Sequence, residues 1–243
     1  MDFEKNYGTG SGTVNTVSGR SDVLAQGFMQ KVYLWMTLGL VATAVVSYFT
    51  TTSDALMIFL FETYGMVPFF IIVAVEIGII FYISLKVRTM NPATASMLFF
   101  IYSALNGVTI APVLMYYTEA SVATTFFVTA GMFGSMSAYG ALTKRDLTNF
   151  GSFLRMGLWG LIIAILVNMF MRNNMMSYVI SGMAIIIFTG LTAYDTQKIR
   201  KIAAESGLSD DLRSNIAVLG ALTLYLDFIN LFLHLLKFMG KRK

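Results

Sequence analysis

Two acidic side chains lie in the last two predicted helices of the chain, Asp195 in AYDTQ at the end of an apolar segment and Asp227 in LYLDFIN inside the next. A charged side chain inside a membrane is costly, so it usually faces the bundle interior or a water-filled cavity. Neighbouring helices joined by a short loop can bring two such carboxyl groups together. A buried pair then shares a proton over some pH range, and the doubly ionised pair repels or recruits a cation. The sequence therefore predicts that Asp195 and Asp227 form a proton sensor on an ion pathway.

Polar side chains follow one narrow face of the last apolar segment, LGALTLYLDFINLFLHLLKF, at about 100° per residue. They are Thr223, Asp227, Asn230, His234 and Lys237. We expect this face to look inward, with Thr223, Asn230 and His234 around Asp227. Interhelical hydrogen bonding is the alternative interpretation of the Thr, Asn and His side chains. A hard cation such as calcium prefers several oxygen ligands, so the two predicted carboxylates would bind it weakly.

The segment before it carries a similar polar face, which ends at Asp195. Glycine in a membrane helix lets a neighbouring helix approach closely, and we expect this of Gly182 and Gly190. A solvated helix end near Lys198 is the alternative interpretation of Asp195. The hydroxyl side chains that share the face are Ser177, Ser181 and Thr192.

Glu76 lies in the middle of the second apolar segment, IIVAVEIGII, where an unpaired carboxylate would be protonated or expelled. Its depth suggests Lys237 or Arg155 as its partner, and we predict that Glu76 and Lys237 form a latch elsewhere in the bundle. Asn106 and Pro112 predict a break in the third segment, which would free backbone carbonyl groups to line a cavity. A simple kink is the alternative.

Seven apolar segments are close to the ~20 residues that a helix needs to cross the hydrocarbon layer. Lipid cannot satisfy open backbone groups, and the alternating pattern of a transmembrane barrel is missing. The predicted fold class is an all-α integral membrane protein with a seven-transmembrane-helix bundle. The membrane domain covers 28–240, between a flexible polar tail at 1–27 and a basic tail at 241–243. The segments are 32–50, 67–85, 93–116, 122–142, 153–170, 176–194 and 219–236.

Composition excludes several classes of protein. Hydrophobic residues make up 56% of the 243 residues and charged residues only 12%, which does not fit a soluble enzyme or a disordered chain. The chain has no cysteine, so disulfides, iron–sulfur clusters and thiol nucleophiles are excluded. The single histidine, His234, excludes a multi-histidine metal centre. We expect no bound cofactor, no nucleic-acid partner and no enzymatic activity.

The net charge of +4 reflects how lysine and arginine are distributed around the segments. The residues before the first segment and the loops after the second, fourth and sixth are basic, whereas the opposite loops carry only Arg172. By the positive-inside rule the N-terminus is cytoplasmic. The tail of Lys241, Arg242 and Lys243 then falls outside, unless the last segment is re-entrant. Both alternatives stay open.

Four strings resemble the Bax inhibitor-1 family, also called the transmembrane Bax inhibitor motif family: NGVTIAP at 106–112, TKRDL at 143–147, AYDTQKI at 193–199 and LYLDFINLFLHLL at 224–236. The resemblance is nearest to bacterial members, which implies a bacterial plasma (inner) membrane. It implies seven helices around a central C-terminal helix, and a pH-sensitive calcium leak gated by Asp195 and Asp227. Calcium is then the transported ion. The family's second-helix glutamate falls on Glu76, and its basic residue near the end of the last helix falls on Lys237.

Two other functions compete with a calcium leak. Intramembrane carboxylates also serve as proton relays, so a proton-coupled transporter is one alternative. The other is a regulatory membrane protein without transport, such as a modulator of a membrane-bound protease complex, in which the tail at 1–27 carries function. An intramembrane aspartyl protease is disfavoured, because bulky residues precede Asp227 where such proteases have glycines.

Overall fold

Eight α-helices account for most of the residues that the computed structural model describes, which are 11–63, 65–204 and 208–243. The prediction of an all-α chain is confirmed, because strand-like pairing among the described residues is limited to one isolated bridge. A turn of π-helix, Ile58–Thr63, separates the second and third helices. The helices are α1 (Ser11–Thr52), α2 (Asp54–Met57), α3 (Val67–Lys86), α4 (Pro92–Met115), α5 (Glu119–Leu142), α6 (Thr148–Met171), α7 (Asn174–Ala203) and α8 (Asp210–Met239).

Side chains that accept hydrogen bonds begin four of the long helices. Asn91, Thr118, Asn173 and Ser209 each accept a backbone N–H from the first turn of the helix that follows. Arg172, whose φ of 51° lies in the left-handed region, ends α6. The chain therefore turns sharply in short loops between long helices.

Six of the described helices are long and apolar enough to cross a membrane: Ala25–Thr52 of α1, and α3, α4, α6, α7 and α8. α5 is also 24 residues long, but its sequence is richer in Thr, Ser, Gly and Ala. Large apolar side chains point away from the bundle, with Phe170 82% exposed and Leu142 79% exposed. A water-soluble protein would not expose so many of them, so the outer surface of the bundle faces the lipid bilayer.

α8 is the most enclosed helix of the bundle. It packs against α1, α4, α5 and α7, and 67% of the residues in its most apolar stretch are buried, compared with 17% for α6 and 11% for α3. Tyr225 and Leu231 are fully buried. α8 therefore has the central position that the family resemblance implies, and its polar face looks into the protein.

One end of the bundle is held by side-chain amides that bind loops. Gln197 near the end of α7 accepts from the N–H of Leu147 at 2.9 Å and donates to the carbonyl of Arg145 at 2.8 Å. Asn215 in the first turns of α8 donates to two carbonyl groups of the loop between α3 and α4, at 3.0 and 2.8 Å. These bonds fix the loops beside the end of α7 and the start of α8.

The basic tail lies at the other end of the bundle. α8 continues without interruption to Met239, and 30 helical residues span about 45 Å. The tail then pairs with the loop between α4 and α5: Thr118 N–H donates to the Lys241 carbonyl and Lys243 N–H to the Tyr116 carbonyl, both at 3.0 Å. A re-entrant last segment is therefore wrong.

α4 is continuous through NGVTIAP, so the predicted break is wrong. Pro112 lies inside the helix, where it removes one backbone hydrogen bond. Gly107 lets α4 pack directly on α1, because a Cβ there would come within 2.7 Å of the Thr43 carbonyl oxygen. This close packing holds α4 against α1 in the part of the helix that precedes the proline.

The sequence predicts a flexible tail over 1–27, but the backbone of α1 is helical from Ser11. Once the apolar part of a helix has formed, adding a further residue costs little, so the helix extends into polar sequence. Residues 1–10 lie outside the described residues, and the flexibility of that part stays a prediction.

Candidate functional site

A cavity of about 420 Å³ lies between α6, α7 and α8, and both predicted acids line it. α7 packs against α6 on one side and against α8 on the other, so the cavity separates α6 from α8. Asp195 reaches it from α7 and Asp227 from α8. Apolar residues make up most of the wall, and the other polar side chains in it are Arg155, Thr223, Asn230 and His234.

Glycines bring the neighbouring helices close to the residues that precede Asp195. A Cβ at Gly140 of α5 would overlap the carbonyl oxygen of Ala193, and a Cβ at Gly151 of α6 would overlap the ring of Tyr194. α5 therefore contacts the backbone of α7, and α6 contacts the Tyr194 ring, just before Asp195. This packing fixes the position of the acid relative to the cavity.

The two glycines predicted on α7 behave differently. A Cβ at Gly190 would come within 2.6 Å of Leu154, so close approach there is confirmed. At Gly182 a Cβ would meet nothing within 4 Å among the described residues, so close approach there is wrong. α6 and α7 therefore pack tightly in the half of α7 that leads to Asp195.

Asp227 is the more deeply buried of the two acids. It is 4% exposed, and its Oδ2 atom is buried with no hydrogen-bond partner in the part of the chain that the structure describes. The half-buried carboxyl group of Asp195 is near enough to interact with it electrostatically. A buried carboxyl oxygen without a partner is costly, so this position favours a proton or a bound cation.

Thr223 and Asn230 line the cavity beside Asp227, on the face that helical spacing predicts. Thr223 Oγ1 and Asn230 Nδ2 donate to carbonyl groups one turn earlier in α8, at 3.0 and 2.8 Å. The Thr223 hydroxyl hydrogen and one of the two Asn230 amide hydrogens are used within the helix, and both side-chain oxygen atoms remain available as acceptors. The two side chains add oxygen ligands to the cavity without neutralising the carboxylates.

Further along the same face of α8, side chains bind the hydroxyl groups of α7. His234 Nδ1 lies 3.4 Å from Ser181 Oγ, and the imidazole stacks on Phe188 with ring centroids 6.3 Å apart. Lys237 Nζ donates to Ser177 Oγ. The interhelical hydrogen-bonding interpretation therefore describes His234 in this structure, and Lys237 makes a bond of the same kind in place of the predicted latch.

Arg155 occupies a place beside the two acids that sequence reasoning missed. Its guanidinium donates to the Tyr194 hydroxyl at 2.7 Å and lies 5.0 Å from the centroid of the same ring. Arg155 lines the cavity and interacts electrostatically with Asp195. The sequence does contain a signal for this proximity. Arg155 lies near the start of its segment and Asp195 at the end of the next one, so two antiparallel helices place both residues at the same end. A partnership with Glu76 is wrong.

The structure does not bring Glu76 and Lys237 together. Glu76 Oε1 accepts from the Thr109 hydroxyl at 3.0 Å, and Asn106 is a second hydrogen-bond partner. α3 packs against α4 rather than against α8, so Glu76 faces α4 while Lys237 faces α7. The predicted latch needs direct contact between Glu76 and Lys237, and in this structure Glu76 contacts α4 instead.

A buried hydrogen-bond network extends from Asn106 to the centre of the bundle. The Tyr225 hydroxyl donates to Asn106 Oδ1 at 3.0 Å and lies 2.6 Å from Thr43 Oγ1. Glu76, through Asn106, is thereby connected to α8 two positions before Asp227. The only sign of this network in the sequence is that isolated polar residues occur in apolar segments. The sequence does not show how these residues pair across four helices.

The described residues contain no group of three or more His, Cys, Asp or Glu side chains that could hold a metal ion. A cation in the cavity would therefore have two carboxylates as its charged ligands, with the oxygens of Thr223 and Asn230 as neutral ones. Such a set suits an ion in transit, since tight calcium sites have more carboxylate ligands.

Comparison with known proteins agrees with this architecture. The sequence model of the family described as "Inhibitor of apoptosis-promoting Bax1" matches residues 25–243. An uncharacterized protein of Borreliella burgdorferi is 44% identical over 89% of this chain and 92% of its own length. "Inner membrane protein YbhL" of Escherichia coli K12 is 42% identical over 90% of this chain and 93% of its own length. The chain therefore belongs to the Bax inhibitor-1 family of membrane proteins, and its relatives include bacterial members.

Proposed function

We propose that this protein lets calcium pass down its gradient across a membrane, and that Asp195 and Asp227 sense pH on the pathway. The observation that carries the proposal is the Oδ2 atom of Asp227, buried without a partner in a cavity that it shares with Asp195. Calcium as the ion rests on family membership.

The Asp195–Asp227 pair is stabilised in a different way in each of its two protonation states. With one shared proton, the pair is stabilised by a hydrogen bond between the carboxyl groups. With both groups ionised, they repel each other in a low-dielectric cavity unless a cation lies between them. Protonation therefore competes with cation binding at the same oxygens, which makes any flux through the cavity pH-dependent.

Arg155 takes part in the same competition. Its guanidinium, held on Tyr194, is a fixed positive charge beside Asp195. A mobile cation that enters the cavity must overcome this charge. Arg155 thus favours a resting state in which the carboxylates are compensated without a bound ion.

We infer a topology of seven spans with a cytoplasmic N-terminus in a bacterial plasma membrane. The start of α8 and the basic tail lie at opposite ends of the bundle, and Lys31 of α1 lies beside Asp210 and Arg213 of α8 at the first of these ends. A chain that enters at one end and leaves at the other crosses an odd number of times, so α5 is counted as a span with the six apolar helices. The basic loops lie at the same end of the bundle as Lys31.

Calcium flux in liposomes across pH tests the proposal. Wild type, Asp195→Asn and Asp227→Asn are compared, with Asp146→Asn as a matched control because Asp146 is exposed and outside the cavity. We expect both cavity variants to lose the pH response and the control to keep it. Wild-type flux and pH response in both cavity variants would refute the role of the pair.

The same liposomes separate the alternatives. Flux no greater than in empty liposomes favours a regulatory protein, and removal of 1–27 then tests whether that segment binds a partner such as a membrane protease. Calcium movement that requires an opposing proton gradient favours a proton-coupled transporter over a leak. Either result replaces the leak as the function.

A further inference from the structure

A second cavity, of about 710 Å³, lies between α1 and α5, away from the two acids. α1 packs on α4 and α8, and α5 packs on α7 and α8, so α1 and α5 form opposite walls above α8. The volume is within the range of about 300–1,000 Å³ that holds small organic ligands. Its apolar wall includes Leu40, Ile110, Leu114, Phe126, Phe228 and Phe232.

The threonine hydroxyl groups in this wall are already used. Thr43 Oγ1 lies 2.6 Å from the Tyr225 hydroxyl, and it also bonds to a carbonyl of α1. Thr51 and Thr52 donate to the Tyr48 carbonyl at 2.9 and 3.0 Å. The wall is mainly apolar and its threonines are satisfied within the protein, so it suits a hydrocarbon occupant.

The cavity borders the lipid. Tyr48 of α1 and Phe127 of α5 line it and are 66% and 74% exposed on the outer surface of the bundle. A lipid chain can therefore reach the cavity from the side without passing through water. Close packing favours filling an apolar space over leaving it empty, because an unfilled wall loses its dispersion contacts.

Positive charge is concentrated where the cavity meets the end of the bundle. Lys243 lines the cavity, and the exposed Lys241 and Arg242 precede it. The tail is held in place by backbone hydrogen bonds to the loop between α4 and α5, and by a bond from Lys241 N–H to Ser121 Oγ at 3.0 Å. Glu119 is the acid in the lining, and the three basic residues of the tail outnumber it.

We propose that this cavity is a binding site for an anionic phospholipid, with one acyl chain between α1 and α5 and the phosphate against Lys241, Arg242 and Lys243. The apolar wall matches the chain, the lateral opening matches its route of entry, and the tethered cations match the phosphate. The site is separate from the two acids, so the proposal stands independently of ion flux.

Native mass spectrometry of the full-length protein tests the headgroup requirement. The protein in detergent is titrated with phosphatidylglycerol or with phosphatidylcholine of the same acyl chains. We expect one tightly retained lipid and a preference for phosphatidylglycerol. Lys243→Gln should lower that preference about fivefold, because an interfacial cation contributes about that factor toward anionic lipid. Lys144→Gln, an exposed cation at the other end, is the matched control and should change nothing.

A second pair of variants tests the acyl chain. Ala123→Trp fills this cavity, whereas Ala130→Trp, on the same helix, fills a neighbouring apolar cavity that lacks the basic tail. Lipid retention should fall at least tenfold in Ala123→Trp and stay unchanged in Ala130→Trp, with circular dichroism checking that both fold. Equal retention of the two phospholipids by wild type, or unchanged retention in Ala123→Trp, would overturn the proposal.

Discussion

Replacing Asp227 with leucine should make the protein more stable while abolishing its pH response. Asp227 is 4% exposed and its Oδ2 atom has no hydrogen-bond partner among the described residues. A buried polar atom left unsatisfied costs about 1–3 kcal/mol. Leucine removes that cost, and the adjoining cavity of about 420 Å³ accepts its extra volume. Overpacking, which otherwise costs about 1–3 kcal/mol, is therefore avoided.

The expected gain in the free energy of unfolding is about 1–3 kcal/mol. For a chain of this length each kcal/mol raises the melting temperature by about 2–4 °C. Thermal unfolding of purified protein in detergent, followed by circular dichroism at neutral pH, measures the change. Calcium flux of the same variant in liposomes shows whether the pH response is lost with the gain in stability.

Asp195→Leu is the matched comparison for this prediction. Asp195 is half-buried and interacts electrostatically with Arg155, so its removal leaves that cation without compensation. We expect no gain in the melting temperature of this variant. A fall of 2 °C or more in Asp227→Leu would show that Asp227 is well paired, contrary to the reasoning, since ~1 kcal/mol corresponds to that shift.

Two further changes test the packing and the loops. Gly140→Ala forces a Cβ into the Ala193 carbonyl and should destabilise the protein by about 1–3 kcal/mol. In Gly131→Ala, on the same helix, the new Cβ meets nothing within 4 Å among the described residues, so this variant should be neutral or stabilising. Thermal unfolding of the two variants measures the difference. The hydrogen bond from Lys201 lowers the pKa of Asp146 to about 2. This pair therefore stabilises the fold above pH ~4 and the contribution is lost as the pH falls toward 2, so the melting temperatures of wild type and Asp146→Asn should converge in that range. A constant difference between them across this range would contradict the pairing.

The polar face of α8 could be read from the sequence because a helix fixes the angle between its own residues. Thr223, Asp227 and Asn230 line one cavity, as the spacing indicates. The enclosure of α8 follows from the same pattern, since a polar stripe in a membrane helix has to face other helices. Local periodicity is sufficient for such predictions.

Partners across helices could not be read in the same way. Glu76 and Lys237 seemed matched in charge and type, but α3 packs on α4, and Glu76 binds Thr109 instead. Which helices are neighbours depends on close packing at positions such as Gly107 and Gly140, where a missing Cβ admits another backbone. The sequence shows where these glycines are, but it does not show which helix packs against each of them.

Arg155 was the other suggested partner of Glu76, and that suggestion was wrong for a related reason. Depth along the membrane normal can be read from position in a segment, but many residues share one depth. Its contact with Tyr194 depends on Gly151, which lets α6 lie against that ring. Neighbouring helices with small residues at the same depth are therefore the better guide to a charged partner.

The way α6 is attached places one wall of the cavity in contact with the surrounding membrane. α6 packs mainly on α7, and only 17% of its most apolar stretch is buried, so most of its surface meets lipid. This helix is also one wall of the cavity that holds the two acids. A change in bilayer thickness or lateral pressure acts first on this loosely held wall. We therefore expect the width of the cavity to respond to the mechanical state of the bilayer.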